Sequence, residues 1–301
     1  MYVARARSST MHCVRYIRCH RTRTNPGVVH APGTYNNYTG NRNSLWESII
    51  RRWQRDSERD QIAHKPSNLT ILTFNTSCEK SILETSLDRL QIEYAVLGKA
   101  ETDWCNRKKI DYLHQALSTI QTEYVMCCDA FDVLVLDMSQ RCITALQESQ
   151  CDLLFNGGRA FYPKSVKRNE GHLLNEWERF ERSVAHGPFC FLNAGVWIGR
   201  TAFCRRFFQD AHTRDVRTLI DQGLLPARIQ GPRPIGESEQ VIMHWMFREY
   251  YPAVRVDSRA KIFINLSAVS NLWILRRIVP RWRRLRRITK RIFVRILRKV
   301  R

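Results

Sequence analysis

Asp129-Ala130-Phe131-Asp132 follows the apolar run Glu123-Tyr124-Val125-Met126-Cys127-Cys128 and precedes Val133-Leu134-Val135-Leu136. Two carboxylates between apolar segments are costly to bury unless a counter-charge neutralises them. Hard divalent cations take carboxylate oxygens and bridge them to substrate phosphates. An ion there would neutralise charge developing on a diphosphate leaving group. The DxxD spacing alone leaves a second reading open, in which one Asp caps a turn and the other faces water.

Four later segments have the character of a site. Cys151–Gly158 reads as a short strand running into a loop that ends Phe161-Tyr162-Pro163. Phe191–Arg200 is an apolar stretch broken by small residues, as where a backbone must approach a ligand closely. Gly236-Glu237-Ser238-Glu239-Gln240 is a polar turn opening an amphipathic helix. Val254-Arg255-Val256-Asp257 precedes Lys261-Ile262-Phe263-Ile264-Asn265-Leu266.

The elements that must position these residues follow from hydrophobic pattern. Leu69–Phe74, Glu93–Gly98 and Glu123–Cys128 have the β-branched and apolar content of buried strands. Between them, Glu79–Leu90 reads as a helix, and Lys108–Gln121 places Ile110, Leu113, Leu117 and Ile120 on one helical face. Strand and helix in alternation predict an α/β domain with a mainly parallel, Rossmann-like sheet. Ligands of such sheets bind beyond the carboxyl ends of the strands, where Asp129 and Asp132 fall.

In this order, the motifs of Leu69–Leu266 resemble the glycosyltransferase domain of the procollagen lysyl hydroxylases, with its bacterial and viral relatives. The residues that carry the resemblance are Thr70–Thr76, Val96-Leu97-Gly98, Lys109, Asp129 with Asp132, Phe155 through Tyr162-Pro163, Leu192–Gly199, Ser238-Glu239-Gln240, and Asp257 with Lys261-Ile262-Phe263. The resemblance implies a GT-A-type fold and transfer of a sugar from a nucleotide-sugar, expected to be a UDP-sugar. It implies that Asp129 and Asp132 hold a divalent ion, expected to be manganese, and through it the donor diphosphate. Thr73, Thr76, Trp104, Lys109, Tyr162, Asn193, Gly195 and Ser238 would then line the donor site. Glu239 would be the acidic residue facing donor sugar or acceptor hydroxyl, so Glu239, Asp129 and Asp132 form the expected catalytic set. Trp104 and Tyr162 also read as ordinary half-buried aromatics, Lys109 as a solvated helix residue, and Asn193 as a turn residue satisfying backbone groups.

Two positions depart from the family. Its acidic pair before Gln is Ser238-Glu239 here. Its third metal ligand, a His in a His-Gly-Asn motif beyond the "KIF" strand, has no counterpart, because no His follows Phe263. Water and diphosphate could complete the coordination, an upstream His could substitute, with His186 and His244 as candidates, or the enzyme has drifted. The competing function is then a degenerate transferase fold that acts as a binding module.

Charge divides the chain of 301 residues into three parts. Lys and Arg number 49 against 28 acidic residues, yet the excess lies at the ends. Residues 1–65 form a basic, largely irregular extension, with a short helix expected over Leu45–Arg59. Residues 66–271 form the balanced transferase domain. In residues 272–301, Ile278, Trp282, Leu285, Ile288, Ile292, Ile296 and Val300 recur at three- and four-residue steps among Arg and Lys, without an acid. A cationic amphipathic helix of that kind fits an anionic membrane surface. Nucleic acid and a docked helix are the rivals, nucleic acid the weaker because seven large apolar residues in register exceed what phosphate binding needs. The ten cysteines lack a CxxC pair and read as buried, reduced thiols of a cytoplasmic protein peripheral to the membrane. The N-terminus lacks the apolar stretch of a secretory signal. The acceptor, a glycan, protein or lipid-linked group, is not encoded in any motif.

Overall fold

A computed structural model describes residues 4–5, 18–19, 23–32, 44–55, 65–166, 171–229 and 234–266. In chain order these form β1 (Ala4–Arg5), β2 (Arg18–Cys19), β3 (Val28–His30), α1 (Ser44–Arg55), β4 (Leu69–Phe74), α2 (Ile82–Arg89), β5 (Ala95–Leu97) and α3 (Lys108–Thr119). There follow β6 (Tyr124–Asp129), β7 (Val133–Val135), α4 (Arg141–Glu148), β8 (Leu153–Gly158), α5 (His172–Val184) and β9 (Phe191–Arg200). The chain continues through α6 (Thr201–Thr213), α7 (Val216–Asp221), α8 (Glu239–Tyr250), β10 (Val254–Asp257) and β11 (Phe263–Asn265). The amphipathic segment 272–301 lies outside the described residues.

Alternation of side chains across the strands builds the layers. Leu72, Phe74, Val125, Cys127, Leu153, Phe155 and Trp197 point to one face, where they meet Ile110, Leu113 and Leu117 of α3, Phe207 of α6 and Met246 of α8. Ile71, Tyr124, Met126, Cys128, Leu154 and Ile198 point to the other, against Leu83 and Leu87 of α2 and Ile143 and Leu146 of α4. Each fully buried aliphatic side chain of this kind contributes roughly 1.5–3 kcal/mol.

The six-stranded sheet has the order β10-β8-β9-β6-β4-β5. Pairs β10–β8, β6–β4 and β4–β5 are parallel, whereas β9 runs antiparallel to both β6 and β8. Five of the six strands therefore run in one direction, but the reversed β9 makes the sheet mixed, which the expectation of a mainly parallel sheet did not include. The pattern of β9 could not show this, because a strand buried on both faces is a continuous apolar run in either direction.

A second correction concerns the N-terminal segment. Val28–His30 lies within the span read as an irregular extension, yet it is the central strand of a three-stranded sheet, β11-β3-β7. Val28 faces the second core with Val133, Val135 and Phe263. Val29 faces a third cluster with Leu134, Ile264 and Trp46 and Ile49 of α1. The folded body thus begins upstream of residue 65, and the helix expected over Leu45–Arg59 is α1.

Candidate metal centre

Local hydrogen bonding places His30 beside the DxxD turn. Leu136 and Asp137 donate backbone N–H groups to Gly27 O at 2.8 and 3.2 Å, which starts β3 antiparallel to β7. A Cβ on Gly27 would stand 2.4 Å from Asp137 O, so this approach requires glycine. At the other end of β3, Ala31 N–H donates to Asp132 O at 2.8 Å and Leu266 N–H to His30 O at 2.8 Å. On the opposite side of the turn, Leu83 N–H donates to Ala130 O at 3.1 Å. That residue lies in the first turn of α2, which the Ser81–Glu84 capping box begins. The turn is held from both flanks.

One ligand atom each from His30, Asp129 and Asp132 lies within 4.8 Å of the other two. His30 Nε2 is 3.4 Å from Asp132 Oδ1. His30 is 1% exposed and its Nε2 makes no hydrogen bond. A buried, unpartnered ring nitrogen facing two carboxylates suits a divalent cation, which imidazole and carboxylate together can hold.

Gly195 leaves the room. Between the pairs Phe155–Trp197 and Asn156–Asn193, strand β9 has extra residues that β8 does not match, a bulge that bends its backbone toward the cluster. A Cβ on Gly195 would meet His30 Cε1 at 2.4 Å and Asp129 Oδ2 at 2.6 Å. Asn193 Oδ1 accepts from Gly195 N–H at 3.2 Å, and Gln240 Oε1 from Ala194 N–H at 2.8 Å, so both brace the bulge.

Lys109 links this cluster to the start of α8. Its ammonium lies 2.6 Å from Asp129 Oδ1 and 3.0 Å from Glu239 Oε1, and it is buried. Burial alone would lower the Lys109 pKa, but the two carboxylates outweigh it and hold the value above the ordinary one. Lys109 is therefore a fixed cation rather than a solvated helix residue. Glu239 Oε2 is buried and makes no hydrogen bond.

The remaining sequence-predicted residues divide. Thr73 is buried in β4 on the face of Ile71, its hydroxyl unpartnered, and Thr76 is half-buried beyond the strand. Trp104 packs on Phe74 and Tyr112, with ring centroids 5.9 and 6.2 Å away. Tyr162 is 52% exposed. Ser238 precedes α8 without capping it through its side chain. Only Asp129, Asp132, Lys109, Gly195 and Glu239, with Asn193 behind them, are joined by the contacts above.

Neither upstream histidine singled out from sequence lies in this cluster. His244 is fully buried, paired through Nδ1 with Glu181 and through Nε2 with Tyr162 O at 2.8 Å. Burial pushes the Glu181 carboxyl up, and His244 partly offsets it. His186 is exposed at the surface. The residue of the cluster that sequence reasoning missed is His30, since the run Val28-Val29-His30-Ala31 after Pro26-Gly27 is too short to show a strand period.

Among the described cysteines, Cys127, Cys128, Cys142, Cys151 and Cys204 are buried and free, whereas Cys78 is exposed. No described helix is long and apolar enough to cross a membrane.

No family model and no curated protein sequence matches the chain. Among solved structures it is similar to the crystal structure of A197 from STIV. The likeness has 14% identity and covers 59% of this chain and 78% of that one, with a TM-score of 0.32. A likeness at that level carries no argument about fold or activity.

Proposed function

We propose that the chain is a metal-dependent glycosyltransferase of GT-A type, which moves a sugar from a nucleotide-sugar, expected to be a UDP-sugar, to an acceptor hydroxyl. The observation that carries this reading is the meeting of His30, Asp129 and Asp132 around one point, with Lys109 and Glu239 beside it. The motif resemblance to the procollagen lysyl hydroxylase domain supplies the reaction class.

A divalent ion, expected to be manganese, would be held by His30 Nε2, Asp129 and Asp132, and would neutralise the diphosphate that leaves. Lys109 stays charged and positions Asp129 through Oδ1, which leaves Oδ2 on the His30 side. Lys109 also fixes Glu239 through Oε1, so that Oε2 is the oxygen left to take the acceptor's proton or to face the forming sugar cation. Gly195 and Asn193 keep the floor of the site low. Thr73, Thr76, Trp104, Tyr162 and Ser238 complete the donor pocket on the resemblance alone.

The placement of the enzyme at an anionic membrane surface on the cytoplasmic side rests on the sequence of 272–301. Hydrolysis of a panel of UDP- and GDP-sugars, with manganese and then with chelator, tests the function. Manganese-dependent release of UDP from one sugar is expected. No hydrolysis of any donor, by a folded protein that binds manganese, would leave the binding-module reading in its place.

A further inference from the structure

Asn156 lies in β8 between Asp257 of β10 and Asn193 of β9, and it is fully buried. Its Nδ2 is 2.9 Å from His30 Nδ1, on the side of the ring away from the carboxylates, and its Oδ1 makes no hydrogen bond. We propose that Asn156 is the positioning residue of this centre, fixing the tautomer of His30 that presents the Nε2 lone pair to Asp129 and Asp132. The proposal rests on the reading of that cluster as a metal centre.

A neutral imidazole has one N–H and one lone pair, and the partner of one nitrogen decides which the other carries. With Nδ2 facing the ring, Nδ1 accepts and the proton sits on Nε2, directed at Asp132 Oδ1 and unable to ligate. With Oδ1 facing the ring, Nδ1–H donates to Asn156 and the Nε2 lone pair faces the two carboxylates. The two ends of a side-chain amide exchange by a half turn of its last torsion. Because Oδ1 has no partner, that half turn exchanges one hydrogen bond to His30 for its reverse and breaks no bond made by Oδ1. The oxygen-inward orientation is the one a metal selects, since a ligating histidine donates its second N–H to an acceptor behind it.

Asn156→Asp separates the two orientations, because a carboxylate accepts from Nδ1–H and cannot donate to Nδ1. Asn156→Leu removes both possibilities and keeps the same heavy-atom branching, in a somewhat larger side chain. Manganese affinity is measured by calorimetry on the full chain and each variant, with thermal melting to confirm folding. The Asp variant is expected to bind as tightly as the parent or more so, and the Leu variant about tenfold to a hundredfold more weakly. In the parent protein loaded with diamagnetic zinc, which competition with manganese places in the same site, long-range proton–nitrogen correlations are expected to show His30 with Nδ1–H and a ligated Nε2. This spectrum needs no variant and so decides the matter even if the Leu protein does not fold. Unchanged affinity in a folded Leu variant, weaker binding in a folded Asp variant, or a proton on Nε2 in the loaded protein would each overturn the role of Asn156 and leave the metal centre standing. A parent protein that binds no metal removes the centre and the role together.

Discussion

His30 Nε2 lies 3.4 Å from Asp132 Oδ1, and the same two residues are tied through the backbone by the Ala31 N–H bond to Asp132 O at 2.8 Å. On the proposed reading, this three-residue strand from the N-terminal segment would supply the ring nitrogen for which no His follows Phe263. His30→Ala is expected to weaken manganese binding by at least roughly tenfold, or about 1.4 kcal/mol, while Asp129 and Asp132 remain in place. Calorimetry checks it. Affinity equal to the parent's would mean that His30 is a buried histidine and not a ligand.

Gly195→Ala places a methyl group where His30 Cε1 and Asp129 Oδ2 already stand, at 2.4 and 2.6 Å. Such contacts cannot be relieved without moving His30 or Asp129, and His30 is pinned between β7 and β11. Overpacking of a buried site costs about 1–3 kcal/mol. The variant is expected to melt lower than the parent and to lose manganese binding altogether. An alanine protein that binds manganese normally would show that the bulge does not border the ion.

Lys109→Met leaves Asp129 and Glu239 without their shared cation. Removing one partner of a buried ion pair destabilises by on the order of 3 kcal/mol, so the chelator-treated variant should melt well below the parent. Manganese should raise its melting temperature by more than it raises the parent's, since the ion restores part of the missing charge. The sign with pH follows from the raised Lys109 pKa. Its stabilisation is fully present below the unfolded value of roughly 10.4 and fades only as pH climbs through the higher folded one. The difference between variant and parent should stay flat from about pH 6 to 9 on the Lys109 side. A gap that closes within that range would mean that Lys109 is not the fixed cation described.

Much of this arrangement was legible in the sequence because it depends on local pattern. The strand ending at Asp129, the helix carrying Lys109, the bulged apolar stretch around Gly195 and the polar turn before Glu239 all announced themselves through periodicity, small residues or charge between apolar runs. His30 did not, since a three-residue strand has too little length to show a period, and its burial comes from partners at Val133 and Asn265, far away in sequence. Asn156 was hidden for a related reason, as a polar residue inside an apolar strand has meaning only once its hydrogen-bond partner is known. The reversal of β9 was invisible because burial on both faces erases the alternation that would distinguish direction. Trp104 packs on Phe74 and Tyr112, a contact that its motif position did not reveal and that leaves its expected place in the donor pocket a proposal.

The central claim is that the carboxylates of the DxxD turn carry a metal that drives sugar transfer. It is tested most directly by donor hydrolysis in the parent, Asp129→Asn and Asp132→Asn proteins, each assayed with manganese and with chelator, and each shown by circular dichroism to be folded. Asn keeps the shape of either side chain and removes its charge, so the fold should survive while charge compensation at the diphosphate is lost. The expected result is manganese-dependent UDP release by the parent and a loss of roughly a hundredfold or more, about 2.7 kcal/mol, in both variants. Manganese-dependent release at the parent's rate in both Asn proteins would contradict it.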